Sequence, residues 1–115
     1  MSPLVTAAQR AALIANGHRS LANEHFDPMP IVKLFTPDAR ATWLLSEIDP
    51  NDHTRAFGLC DLGLGSPELG WVSLGELAAV RGRLGLPVER DRHWRAERSL
   101  SCYAAEARAL GRITV

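Results

Sequence analysis

Lysine is nearly missing from this chain: Lys33 stands alone among thirteen basic residues, the rest being arginine. Long apolar runs are missing too. None approaches the ~20 residues that a helix needs to cross a bilayer, so no membrane partner is expected. The opening stretch MSPLVTAAQRAALIANG has no basic segment leading into a continuous apolar one, which argues against a secretory leader. Cysteine is scarce. Cys60 and Cys102 form no disulfide framework and read as reduced thiols of a cytoplasmic protein. Recognisable catalytic, phosphate-binding and metal-binding motifs are likewise lacking, and no cofactor is implied. The loop Asp61–Gly70 has glycines but neither the lysine nor the following helix N-terminus of a phosphate cradle.

What is present suits one ordinary globular domain. The chain has 115 residues, 46% hydrophobic and 23% charged, enough to bury roughly two-thirds of its unfolded surface. Net charge is zero, which disfavours nonspecific nucleic-acid binding. The charges are unevenly spread. Residues 38–76 hold seven acids against Arg40 and Arg55, a net of −5, and residues 77–115 hold eight arginines against four acids, a net of +4. Salt bridges between neighbouring elements are the ordinary reading of this asymmetry. A dipolar surface that docks on a charged partner is the sharper one.

The block from Ile31 to His93 is built from strand and turn signals. Ile31–Phe35, Thr42–Ile48, Ala56–Leu62 and Gly70–Ser73 read as strands, separated by Thr36–Arg40, Asp49–Arg55 and the glycine- and proline-rich 63–69. Around this block lie three helices. Ser2 and Pro3 open the first, over Leu4–Asn16, with Asn16-Gly17 as its stop and a weaker helical piece at Ser20–Glu24. His25–Pro30 is a connector. Ser73 caps a helix from Leu74 to Arg81, with Glu76 as reciprocal partner, and Ser99 caps a last one over Leu100–Leu110, ended by Gly111. Arg90–Arg95, with alternating charge sign, reads as an edge strand. The expected fold is therefore a single α+β domain over 1–115. A helical segment and connector (1–30) precede an antiparallel meander of three to five strands, whose helices cover one sheet face.

Candidate sites follow from alternation. In the second strand Trp43, Leu45, Glu47 and Asp49 share a side, and in the third Phe57, Leu59 and Asp61 do. If those sides coincide, Glu47 and Asp61 approach each other, with Asp91 and His93 joining from the edge strand. Carboxylates plus histidine could then hold a divalent cation or act as acid and base. Solvated strand-end carboxylates paired with arginines are the bland alternative. A recognition surface is the other candidate: the 63–70 loop with Glu68, Trp71, Arg92, Trp94 and Arg95, since tryptophan and arginine are common interface anchors. Core packing of the tryptophans is its counter-reading. Next to Asp61, Cys60 is a poor nucleophile, because negative charge raises a thiol's pKa.

Several stretches carry a family resemblance: IVKLFTPDA (31–39), TWLLSEIDP (42–50), FGLCDLGLGSPELGWVSL (57–74), LGLPVERDRH (84–93) and SLSCYAAEARALGRI (99–113). The chain resembles the domain of unknown function 2958 family, with Arg40 and Ser66 as minor departures. The resemblance implies cargo of proteobacterial plasmids and integrative elements, near conjugation and anti-restriction genes. It implies no activity and no catalytic residues. The expectation is a non-enzymatic accessory protein of a mobile element that binds a host or plasmid protein, with anti-defence as its setting. A small metal-dependent hydrolase or nuclease, and a DNA-binding protein using the Arg90–Arg98 strip, are the alternatives.

Overall fold

The structure, a computed structural model, describes residues 4–115. Its first helix, α1 (Ala7–Ala22), begins at Thr6, whose hydroxyl accepts from the Gln9 amide at 3.0 Å while Gln9 Oε1 accepts from the Thr6 amide at 2.9 Å. This reciprocal pair satisfies two of the amides that a helix start leaves open. Ser2 and Pro3, expected to open the helix, lie outside the described residues, and Leu4–Thr6, expected within it, precede its first turn. The expected stop at Asn16-Gly17 is not there, and the Ser20–Glu24 piece merges into the last turn of the same helix. Tertiary contact explains the difference. Asn16 and Gly17 are both buried, and the Asn16 side-chain amide donates to the Ser46 carbonyl at 2.9 Å. A Cβ on Gly17 would lie 2.0 Å from the Ile48 carbonyl oxygen. Glycine is therefore present for close helix–strand approach, not for chain reversal.

The strands are β1 (Val32–Phe35), β2 (Thr42–Asp49), β3 (Asp52–Asp61), β4 (Glu68–Ser73) and the two-residue β5 (Glu89–Arg90). They form one antiparallel sheet in the order β4-β3-β2-β1-β5. β3 starts earlier than expected, because Asp49–Asp52 closes a tight hairpin, with Asp52 paired to Asp49 and Arg55 to Ser73. The pairing of β2 with β3 slips between Leu45 and Glu47. At this bulge Ser46 is fully buried, its hydroxyl donates to the Phe57 carbonyl at 3.2 Å, and its own carbonyl receives Asn16. The extra residue alters the alternation expected for β2. Ile48, assigned to the opposite side, joins Trp43 and Leu45 in one apolar cluster.

Two further helices complete the fold, α2 (Leu74–Ala79) and α3 (Leu100–Leu110). Ser73 caps α2 by accepting from the Glu76 amide at 3.1 Å, and Ser99 caps α3 by accepting from Cys102. Gly111, with φ of 75°, ends α3 in the left-handed conformation that suits glycine. The helices do not share one face. Leu13 of α1 and Leu77 of α2 pack with Val32, Leu34, Trp43, Leu45 and Ile48 on one side. On the other, Leu100, Tyr103, Ala104 and Ala107 pack with Leu44 and Leu59. The six residues Trp43–Ile48 are consequently all buried, each large apolar one stabilising by about 1.5–3 kcal/mol.

The edge strand expected over Arg90–Arg95 is only two residues long. Asp91 turns the chain: its Oδ1 accepts from the His93 and Trp94 amides at 3.0 and 3.1 Å, and its Oδ2 lies 3.6 Å from Lys33 Nζ. The 91–99 segment then runs to α3, which the connector also holds. Pro28 carbonyl accepts from the Leu100 amide, and Asp27 accepts from the Ser101 amide and hydroxyl.

Candidate functional site

The four cluster candidates do not converge. Glu47 pairs with Phe57 and Asp61 with Thr42, so they lie five positions apart along β2, or roughly 17 Å of extended strand. Nor are they solvated carboxylates. Asp61 is 3% exposed; its Oδ1 accepts from the Gly63 amide at 2.8 Å and its Oδ2 from the Ile113 amide at 2.9 Å. It ties the end of β3 to the segment beyond α3. Glu47, also buried, meets Ser20 of α1; burial raises its pKa, the Ser20 hydroxyl opposes that shift and the Asp49 charge adds to it. Asp91 is occupied by two amides and Lys33, leaving His93 exposed beside it. Among the described residues no three His, Cys, Asp or Glu side chains are grouped to hold a metal ion.

Strand order puts Glu68 and Trp71 on β4, at the sheet edge opposite β5, whereas Trp94 packs with Phe57 and Leu69 against the cluster of Leu44 and Leu59. Trp71 is 45% exposed, with Phe57 edge-on at 5.2 Å and the Arg55 guanidinium 4.8 Å over its ring. Trp94 packs partly buried, 6.0 Å from the Tyr103 ring. The Arg90–Arg98 strip is also broken up. Arg90 donates to the Leu4 carbonyl, while Arg98 pairs with Glu106 and stacks on Tyr103. Of the ion pairs Lys33–Asp91, Arg55–Asp49 and Arg98–Glu106, none joins an acid of 38–76 to an arginine of 77–115. The charge asymmetry is therefore left largely on the surface.

At the β5 edge the fold leaves an open hollow of about 620 Å³. Leu4, Phe35, Ala78, Pro87 and Val88 give it apolar walls, while Arg81, Arg90, Arg92 and His93 border it together with Glu89 and Asp91. It is built because α2 ends early. The Arg81 guanidinium folds back onto the Ala78 and Val80 carbonyls at 3.0 and 2.8 Å, and the chain then loops out over 82–86 before returning to β1 as β5. That loop is pinned by Asp38, whose Oδ2 accepts from the Leu84 and Leu86 amides at 2.6 and 3.3 Å. Its Oδ1 is buried against Gly82 without a hydrogen-bond partner. The described lining holds no serine, cysteine or lysine nucleophile. Cys60 is elsewhere, next to the last residue of β3, and burial, not Asp61, pushes its thiol up to about 11. Arg92, Asp91 and His93 were legible as candidates from sequence. The apolar walls were not, since four separate segments supply them.

Fold and site together define a small α+β protein with an apolar, arginine-bordered hollow at one edge of its sheet. The chain belongs to the family described as protein of unknown function (DUF2958), whose model matches residues 4–114, nearly the whole length. No curated protein and no solved structure matches it.

Proposed function

We propose that the protein is a non-enzymatic interaction protein that receives an apolar, acid-bearing segment of a partner protein in the hollow beside β5. The observation that carries this reading is the composition of that hollow: aliphatic and aromatic walls, with Arg81, Arg90 and Arg92 at the border beside Glu89, Asp91 and His93, and no serine, cysteine or lysine among the described lining residues. Apolar walls with a few placed charges are the usual make-up of a recognition site. Glu47 and Asp61 are held apart, and Asp61 and Asp91 serve as backbone latches. The mobile-element setting implied by the family resemblance supplies the class of partner, a host or plasmid protein, and anti-defence as the process served.

Ala78→Trp tests the assignment by filling the hollow from an exposed position of α2. Affinity purification from the native host should recover a defined partner with the wild-type chain. The partner should be lost with Ala78→Trp and weakened at least about tenfold with Arg92→Glu, since a buried charge pair counts for several kcal/mol when one partner is removed. Undiminished recovery by both variants, at unchanged melting temperature, would remove the hollow as the site.

A further inference from the structure

The two edges of the sheet are guarded differently. β5 is only two residues long, and both, Glu89 and Arg90, are charged; brevity and charge are ordinary protections of an edge strand. β4, at the other edge, runs for six residues. Glu68 at its first position is its one charge, and Leu69–Ser73 holds neither lysine nor proline. The ladder shows which main-chain groups β4 turns outward. The Phe57 carbonyl accepts from the Ser46 hydroxyl and so points at β2. These groups alternate along a strand, hence those of Gly58 point at β4, where Gly58 pairs with Gly70. Glu68, Gly70 and Val72 therefore bond to β3, while Leu69 and Trp71 present their N–H and C=O groups to the outside. Among the described residues, no main-chain hydrogen bond from a turn or loop reaches either of them. A Cβ on Gly70 would meet nothing within 4 Å, and Trp71 is 45% exposed.

We propose that β4 pairs antiparallel with β4 of a second copy of the chain, about a two-fold axis at Gly70. In that register the strand is complementary to itself. Leu69 of each copy faces Trp71 of the other, and each such pair exchanges both of its N–H···O bonds. Gly70 meets its own copy at the non-hydrogen-bonded position, where Cα atoms approach to ~4.5 Å. Leu69 and Trp71 share the sheet face that carries Leu59 and Phe57, so each gains an apolar neighbour across the axis. The placement of a glycine midway between two identical bonding positions selects a copy over an unrelated strand. Charge permits the arrangement. Glu68 and Asp61, with Arg40 and Arg112 beside the 63–65 loop, lie at one end of β4; Arg55, Asp49, Asp52 and Glu76 lie at the other. The two-fold sets the first, balanced group against the second, acidic one. It also keeps the two Glu68 carboxylates about 13 Å apart along the strands, past the ~8 Å screening length at physiological salt. With one bare edge per chain, pairing closes at a dimer instead of growing into a fibre. The hollow beside β5 stays open at each far edge of the joined sheet, so the dimer does not depend on the partner site.

The experiment is analytical ultracentrifugation of the full chain over a concentration series, with amide hydrogen exchange. A reversible dimer is expected, with the Leu69 and Trp71 amides protected at least about tenfold more at high than at low concentration. Trp71→Lys, at an exposed position, should weaken the dimer at least about tenfold with the circular dichroism unchanged. Cysteine crosslinking reads the register separately. In a chain with Cys60→Ser and Cys102→Ser, Gly70→Cys should form an intermolecular disulfide in a glutathione buffer at least about tenfold faster than Gly75→Cys. Only at the axis do the Cα atoms of two copies come within the ~4.4–6.8 Å that a disulfide spans. A chain that is monomeric at every concentration, equal crosslinking rates, or a dimer indifferent to Trp71→Lys overturns the proposal. So do edge amides that are protected in the monomer, which would mean that the chain covers its own edge. A monomer whose edge amides become protected only when another protein is bound overturns it as well, and reassigns β4 to that protein.

Discussion

Replacing Gly17 by alanine sets two effects of opposite sign against each other. In a free helix the change favours folding by about 1 kcal/mol, because alanine has the better propensity. Here the new Cβ would lie 2.0 Å from the Ile48 carbonyl oxygen and 3.1 Å from Pro50 Cδ. Carbon and oxygen make contact at about 3.3 Å, so α1 must lift from β2 by roughly an ångström. The lift strains the buried Asn16–Ser46 hydrogen bond and opens a gap beside Leu13, which is fully buried. An unsatisfied buried amide costs about 1–3 kcal/mol and overpacking about as much again. Net of propensity, the loss is about 3 kcal/mol. For a domain of this size that lowers Tm by about 12 °C. Gly75→Ala is the control, since its Cβ would meet only Ser73 Oγ at 3.7 Å. It should leave Tm unchanged or raise it by up to about 4 °C. Thermal unfolding of the two variants decides the matter: a Gly17→Ala protein as stable as the wild type would refute the close-approach argument.

Two further outcomes follow from the buried carboxylates. Asp61→Ala should destabilise by about 2–4 kcal/mol in urea unfolding, because it strands the Gly63 and Ile113 amides. An exposed strand-end acid would change stability by less than about 0.5 kcal/mol. Glu47 has its pKa raised from an ordinary 4.5, chiefly by burial. A carboxyl shifted upward stabilises the fold while protonated, below its unfolded value, and that contribution is lost as pH rises through the folded value. The Tm of Glu47→Gln relative to wild type should therefore increase between about pH 4 and about pH 7. A flat difference across that range would count against the shift.

The first four strands and the caps of α2 and α3 were legible because their signals are local. Proline and glycine mark the breaks between β1, β2, β3 and β4, and Ser73, Ser99 and Gly111 act on amides and carbonyls a few residues away. What failed to show was set by contacts distant in sequence. Asn16-Gly17 has the composition of a helix stop, and only the passage of α1 over β2 gives it another use. Ser46 fits an unbroken alternation, so nothing local announces a bulge there. The run Trp43-Leu44-Leu45 did carry a signal that alternation obscured. Adjacent large apolar residues are the mark of a strand covered on both faces, as β2 is. For the site, charge pattern and residue type pointed to 91–95. The hollow itself arises where α2 stops and β5 returns to the sheet.

The two-sided burial of β2 has a consequence for how the chain avoids misfolding. Trp43 and Leu45 belong to one apolar cluster and Leu44 to the other. A slip of β2 by one residue turns every side chain to the opposite face. In a sheet with one wet face, such an error exposes one set of apolar groups. Here it would exchange the contents of two differently shaped interiors, forcing an indole into the space of a leucine beneath α3 while leaving a void under α1. Both halves of the molecule would reject the same mistake. With few long-range salt bridges among the described residues to check its register, the central strand is thus proofread by volume, twice over.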